Sequence, residues 1–205
     1  MNILYLGKAG KLNSELSEAL RKKKYSVRRE SARINIVGIK SDIVVFGGRY
    51  FNGVIPDDVR YLYLSTLSPN PFRDKYQELK HIDDNNVKGK GGKVINIPFI
   101  DEMVPPNVVN ILTTKSSRFY IYKTSISDII ETIVDDKDLF IEKCYVDLTS
   151  IDKFFWILFS SLYKFAGKIK LMKVPLLVSV KVLEKVLMSL FGHAKLSSVY
   201  IGRED

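Results

Sequence analysis

Apolar residues along this chain fall into short runs separated by amphipathic stretches. Asn2 to Leu6 is a strand-length apolar run stopped by Gly7. Lys11 to Lys24 then places Leu12, Leu16, Ala19 and Leu20 on one helical face. The Arg21-Lys22-Lys23-Lys24 run follows at its end, where cations suit the helix dipole. Further strands are predicted at Tyr25 to Arg29, Asp42 to Phe46, Arg60 to Leu64 and Lys93 to Pro98, with a helix over Arg73 to Asp84. Strands alternating with helices predict βαβ units, hence a parallel sheet with right-handed crossovers. The stretches Ser31 to Ser41 and Arg49 to Val59 are too short for long helices, which predicts a sheet trimmed on one face.

Beyond Pro98 the rhythm changes. Pro105-Pro106 predicts the opening of a short helix through Leu112. Strands are expected at Phe119 to Tyr122 and Phe140 to Val146, flanking a helix over Ser125 to Val134 with Ser125 as its N-cap. Two apolar-rich helices follow: Ile151 to Ala166, broken by Gly167, and Leu177 to Phe191, ended by Gly192 after a turn at Pro175. The fold class expected is α/β, a Rossmann-type doubly wound parallel sheet with a small, mostly helical C-terminal appendage. Residues 1–147 would form the Rossmann-like α/β domain and residues 148–205 the appendage packed on it.

Composition narrows the classes. A hydrophobic fraction of 46% supports a substantial core and argues against global disorder. A lone cysteine, Cys144, excludes a disulfide framework within one chain, and His81 and His193 lack zinc-type spacing. The N-terminus does not read as a signal peptide, and the run Phe154 to Tyr163 is shorter than the roughly 20 residues a membrane span needs. A cytoplasmic setting is therefore expected. The net charge of +9 fits a solvated lysine-rich surface, a phosphate ligand or an anionic membrane surface. No nucleic-acid partner and no metal is expected. Membrane contact would be weak and peripheral, and a homodimer is compatible with the sequence.

Three clusters could carry chemistry. Gly7-Lys8-Ala9-Gly10-Lys11-Leu12-Asn13 lies between a strand and a helix, where a glycine turn lets backbone approach a pyrophosphate seated on the helix N-terminus. It could equally be an ordinary βα turn. Leu64-Ser65-Thr66 is followed by Tyr76-Gln-Glu-Leu-Lys80; positions i and i+4 share a helical face, so a lysine could lower the tyrosine pKa toward acid/base use. The pair could also be incidental on an exposed helix. Arg28-Arg29-Glu30 ends the second strand, where arginine suits a 2′-phosphate and an acid suits a ribose hydroxyl, and it could equally be a solvated charged strand end.

On these residues the chain resembles the extended or atypical short-chain dehydrogenases/reductases, in a shortened and divergent form. Gly7 and Gly10 match the first two glycines of the family's Gly-x-x-Gly-x-x-Gly opening, and Asn13 stands where the third belongs. The resemblance implies cofactor contacts from Gly7, Gly10, Lys11, Leu12, Arg28, Arg29 and Lys80. The cofactor implied is NADP, or NAD through Glu30. It further implies a catalytic set in which Thr66 or Ser65 orients substrate, Tyr76 is the acid/base, and Lys80 binds ribose and tunes Tyr76. Ile97-Pro98 replaces the family's Arg-Pro, and Asp128 matches an Asp that opens a helix. Leu148 to Gly167 with Val174-Pro175 is similar to the small substrate domain of nucleotide-sugar epimerases and reductases. The implied activity is NAD(P)-dependent oxidation–reduction or epimerisation of a nucleotide-linked sugar. The alternative is a catalytically inactive Rossmann protein that binds a nucleotide or a protein partner.

The remaining residues read plainly. Trp156, Phe154 and Phe155 are expected in the core, Cys144 buried in a strand, and His81 in solvent. The lysines at 164, 168, 170, 173, 181 and 185 form a basic, apolar-interleaved region, most simply a solvated face.

Overall fold

The structure, a computed structural model, describes residues 1–8, 10–31, 36, 38–48, 55–56, 58–103, 117–191 and 197–204. The chain divides into two compact units. The first gathers Met1–Thr66, Leu79–Met103 and Thr124–Phe140; the second gathers Leu67–Glu78, Val104–Lys123 and Ile141–Asp205. The chain passes between the two units several times.

The first unit is built on five strands: β1 (Asn2–Leu6), β2 (Ser26–Glu30), β3 (Ile43–Phe46), β4 (Arg60–Thr66) and β5 (Lys93–Ile97). Their order is β2-β1-β3-β4-β5, and every neighbouring pair is parallel. This is a doubly wound α/β sheet. Its order reverses on the two sides of β1, so the topological switch point lies between β1 and β3. β1 is buried on both faces, as a central parallel strand must be. One face carries Ile3, Tyr5, Val45, Leu62 and Leu64 against Leu16 and Leu20 of α1 (Lys11–Lys22) and Ile129 and Ile133 of α3 (Ile126–Asp135). The other carries Leu4, Leu6, Phe46, Tyr61 and Tyr63 against Val87 of α2 (Lys75–Lys88). Each fully buried aliphatic side chain contributes roughly 1.5–3 kcal/mol. Ser125 caps α3 as expected, in a reciprocal capping box with Asp128.

Within the second unit, β7 (Phe119–Thr124) pairs antiparallel with β8 (Glu142–Val146) and with β9 (Gly202–Arg203). The short strand β6 (Phe99–Ile100) precedes them in sequence. Helices α4 (Ser150–Lys168) and α5 (Lys173–Leu190) pack through Phe155, Phe159, Tyr163, Leu177 and Val180. Gly167 and Pro175 take other places than expected. Gly167 does not break α4, which runs one residue further. Pro175 lies inside the first turn of α5, where backbone N–H groups have no helical acceptor and a missing donor costs nothing. The expected helix from Pro105-Pro106 and the Gly192–His193 helix end lie outside the described residues.

Three side-chain expectations need correction. Phe154 is 61% exposed rather than in the core, because the buried stripe of α4 runs through Phe155, Phe159, Tyr163 and Ala166 on the opposite side. Cys144 is half-buried. His81 is half-buried rather than free in solvent.

Candidate active site at the switch point

β1 delivers Gly7 to the C-terminal edge of the sheet, where its N–H donates to the Glu30 carbonyl at 3.1 Å. Gly10 then stands at the N-cap of α1 with no side-chain cap and no acidic residue in the first turn. By contrast α3 and α4 are capped by Ser125 and Thr149. The α1 N-terminus therefore presents backbone N–H groups with the positive end of the helix dipole at the switch point.

The two glycines of the turn do different work. A Cβ on Gly7 would fall 2.7 Å from the Asn13 Nδ2, and one on Gly47 would fall 2.4 Å from the Asn13 Oδ1. Asn13 is 8% exposed. Its amide nitrogen donates to the Lys8 carbonyl at 2.9 Å and the Gly47 carbonyl at 3.2 Å, while the Tyr5 hydroxyl donates to its Oδ1 at 3.0 Å. Gly7 and Gly47 thus make room for the Asn13 side chain. Gly10 has an extended backbone, φ −143° and ψ 161°, which any residue adopts. A Cβ there would approach only the Lys8 carbonyl, at 3.9 Å. Gly10 leaves open space, so the turn fits a pyrophosphate on the Gly10 side, while the Gly7 side is filled from within.

The other candidate positions sort by strand and helix geometry. Lys11 is exposed and 3.9 Å from Glu15, and Leu12 packs half-buried against the α1 face of the core. Period two puts Arg28 and Arg29 on opposite faces of β2. Arg28 is ion-paired with Glu30 at 2.9 Å. Arg29 turns toward α1, donates to the Ser14 hydroxyl at 3.3 Å and lies close enough to the Tyr5 phenol to offset part of the upward push that burial gives it. Of the two arginines, Arg29 is the one beside the turn.

The same alternation splits Ser65 from Thr66. Ser65 follows Tyr61 and Tyr63 onto the α2 face and is buried; Thr66 is half-buried on the other face. Lys80 is 3% exposed. Its ammonium donates to the Gly48 carbonyl at 2.6 Å and the Leu64 carbonyl at 2.7 Å, over the Tyr63 ring at 4.4 Å. One turn earlier on α2, Tyr76 is half-buried in the second unit, near Tyr200. Sequence reasoning missed Asp84, one turn after Lys80. Burial raises its carboxyl above the usual carboxylate range, against the Ser65 hydroxyl and the charges of His81, Lys80 and Lys88. Its i+4 spacing from Lys80 was the available signal. It also missed Gly47 and Gly48, where β3 meets both Asn13 and Lys80. Among the described residues no cluster of His, Cys, Asp and Glu could hold a metal ion.

No family model matches the sequence, and no curated protein matches it. Solved structures do. A dTDP-4-dehydrorhamnose reductase from Clostridium acetobutylicum is 12% identical over 66% of this chain and 69% of its own, with a TM-score of 0.45. A short-chain dehydrogenase/reductase superfamily protein from Agrobacterium tumefaciens, with bound NAD, is 13% identical over 65% and 73%, with a TM-score of 0.42. A UDP-N-acetylglucosamine 4-epimerase from Bacillus cereus is 16% identical over 65% and 72%, with a TM-score of 0.41. These scores are too low to carry the fold, which rests on the all-parallel β2-β1-β3-β4-β5 order itself.

Proposed function

We propose that this chain binds NADP, and NAD less tightly, at the β1–α1 turn, and uses it to oxidise, reduce or epimerise a nucleotide-linked sugar. The observation that carries the reading is convergence on the end of β3. Asn13 of the glycine turn takes the Gly47 carbonyl, and Lys80 takes the neighbouring Gly48 carbonyl. The turn and the lysine therefore flank one strand end at the switch point, the place where open α/β sheets bind ligands.

Bound there, the nicotinamide supplies hydride transfer. The chain's own residues would bind and orient. Gly10 and the uncapped α1 N-terminus receive the pyrophosphate, with Lys11 and Leu12 behind them. Arg29 meets a 2′-phosphate, and Arg28 contributes only if it leaves Glu30. Tyr76 moves the proton, Ser65 or Thr66 orients the substrate oxygen, and Lys80 fixes the local backbone and approaches the ribose.

A second reading, a nucleotide- or protein-binding Rossmann protein without catalysis, is favoured by one specific observation. Lys80 already spends hydrogen bonds on two backbone carbonyls, as a structural residue does. Turnover separates the two. The first expects NADPH oxidation with a nucleotide-linked keto-sugar, slowed roughly 10²–10⁴-fold by Tyr76→Phe. NADPH binding with no turnover on any such sugar would move the assignment to the second.

A further inference from the structure

We propose that the α4–α5 hairpin docks on the surface of an anionic lipid bilayer. The outward side of α4 is apolar where a solvated helix would be polar. Phe154, Ile157 and Phe165 are exposed on the side opposite the stripe that buries Phe155, Phe159 and Tyr163, and Ile151, also exposed, lies on the flank one turn before Phe155. The connection between the helices carries Leu171, which is 99% exposed, and the exposed Met172. Scattered exposed apolar residues need no explanation, but large ones gathered along the outer side of α4 and at the hairpin tip do.

The charge around these residues selects the occupant. Residues 150–191 hold seven lysines and two acids, Asp152 and Glu184. Both acids are spent inside the unit. Asp152 accepts from the Thr149 hydroxyl at 2.7 Å, and Glu184 is buried against Tyr163, Ser197 and Ser198. Lys173 and Lys181 pair with Glu78 and Asp74. Lys153, Lys164, Lys168, Lys170 and Lys185 stay exposed. Three of them, Lys164, Lys168 and Lys170, sit next to Phe165 and Leu171 in the sequence toward the hairpin tip. Lysine is depleted in the cores of protein interfaces, whereas at a bilayer surface its long stem covers apolar neighbours and its ammonium reaches lipid phosphates. No helix among the described residues is long and apolar enough to cross a membrane, so the mode is lying on the surface.

The test is co-sedimentation of the full chain with two vesicle types, pure phosphatidylcholine and an equimolar mixture of phosphatidylcholine and phosphatidylglycerol. The proposal expects binding to the mixed vesicles at least about tenfold stronger than to the neutral ones, weakening as salt rises. Lys164→Glu with Lys168→Glu and Lys170→Glu should abolish the preference. Phe165→Ser with Leu171→Ser should abolish binding while leaving the melting temperature unchanged, since both side chains are exposed. Equal or absent binding to the two vesicle types overturns the proposal. So does a concentration-dependent dimer, seen by light scattering and dissolved by the Phe165 and Leu171 substitutions, in a chain that does not pellet with vesicles; the face would then belong to a second copy.

Discussion

The Asn13 side-chain amide donates to the Gly47 carbonyl at 3.2 Å and joins the turn after β1 to the end of β3 across the switch point. The same amide occupies the space in front of Gly7. This arrangement separates a glycine kept for packing from Gly10, which has open space beside it.

The packing role predicts coupling. Gly7→Ala should cost at least about 2 kcal/mol, because its methyl meets a buried amide that has three hydrogen bonds to lose. Asn13→Ala should cost about 2–4 kcal/mol, because it strands the Tyr5 hydroxyl and two backbone carbonyls. In the Asn13→Ala background, the Gly7→Ala penalty should largely vanish. A urea-unfolding double-mutant cycle measures this, and additive costs would dissociate Gly7 from Asn13.

The two arginines should differ. Arg29→Ala should remove most of the preference for NADPH over NADH, while Arg28→Ala should change it less than about threefold, because Arg28 already pairs with Glu30. Paired titrations of both variants with both cofactors decide it. Equal effects would mean that β2 does not keep its observed twist of side chains in the bound state.

Asp84 gives a pH dependence with a definite sign. Burial raises its folded pKa, so the folded state holds the proton more tightly than the unfolded chain does. Stability is then lost as pH rises from the unfolded value, about 3.9, through the raised folded one, and the cost stays at neutral pH. Asp84→Asn should therefore raise the melting temperature at neutral pH, with the advantage shrinking toward about pH 4. Thermal melts across that range test it. A variant less stable at every pH would assign Asp84 to holding the Lys80 ammonium.

Glu184 is buried with its hydrogen-bond donors in place. Tyr163, Ser197 and the Ser198 N–H reach it at 2.7–2.8 Å. Glu184→Ala leaves those donors unpaired and should cost about 2–4 kcal/mol, because buried donors lose their acceptor. Chemical denaturation measures it, and a loss below about 1 kcal/mol would mean that water replaces the carboxylate.

Much of the first unit was legible, for an identifiable reason. The runs at Asn2 to Leu6 and Asp42 to Phe46 are strand-length and almost wholly apolar, which marks strands buried on both faces. Ser125 and Asp128 are three apart, so the capping box could be read locally. Arg28 and Arg29 were grouped by adjacency, although period two alone separates their faces. The Asn13–Gly47 and Lys80–Gly48 contacts span 34 and 32 positions. No periodicity reports such pairs, so the site's wiring was hidden even though its residues were in view. Phe154 was misplaced because an aromatic pair suggests a core. The 3.6-residue stripe through Phe155, Phe159 and Tyr163 is the signal that puts Phe154 outside.

The central claim is that the turn binds a dinucleotide phosphate on its Gly10 side. Titrating the unmodified chain and a Gly10→Val variant with NADPH, followed by nicotinamide fluorescence, tests it most directly. Gly10 has extended backbone and open space, so the variant should stay folded, with the melting temperature lowered by only a few degrees through the poorer N-cap. The prediction is saturable NADPH binding by the parent, weakened at least about tenfold in the variant by the side chain set against the pyrophosphate. No saturable binding by the parent, or equal affinity in the two proteins, would contradict the claim.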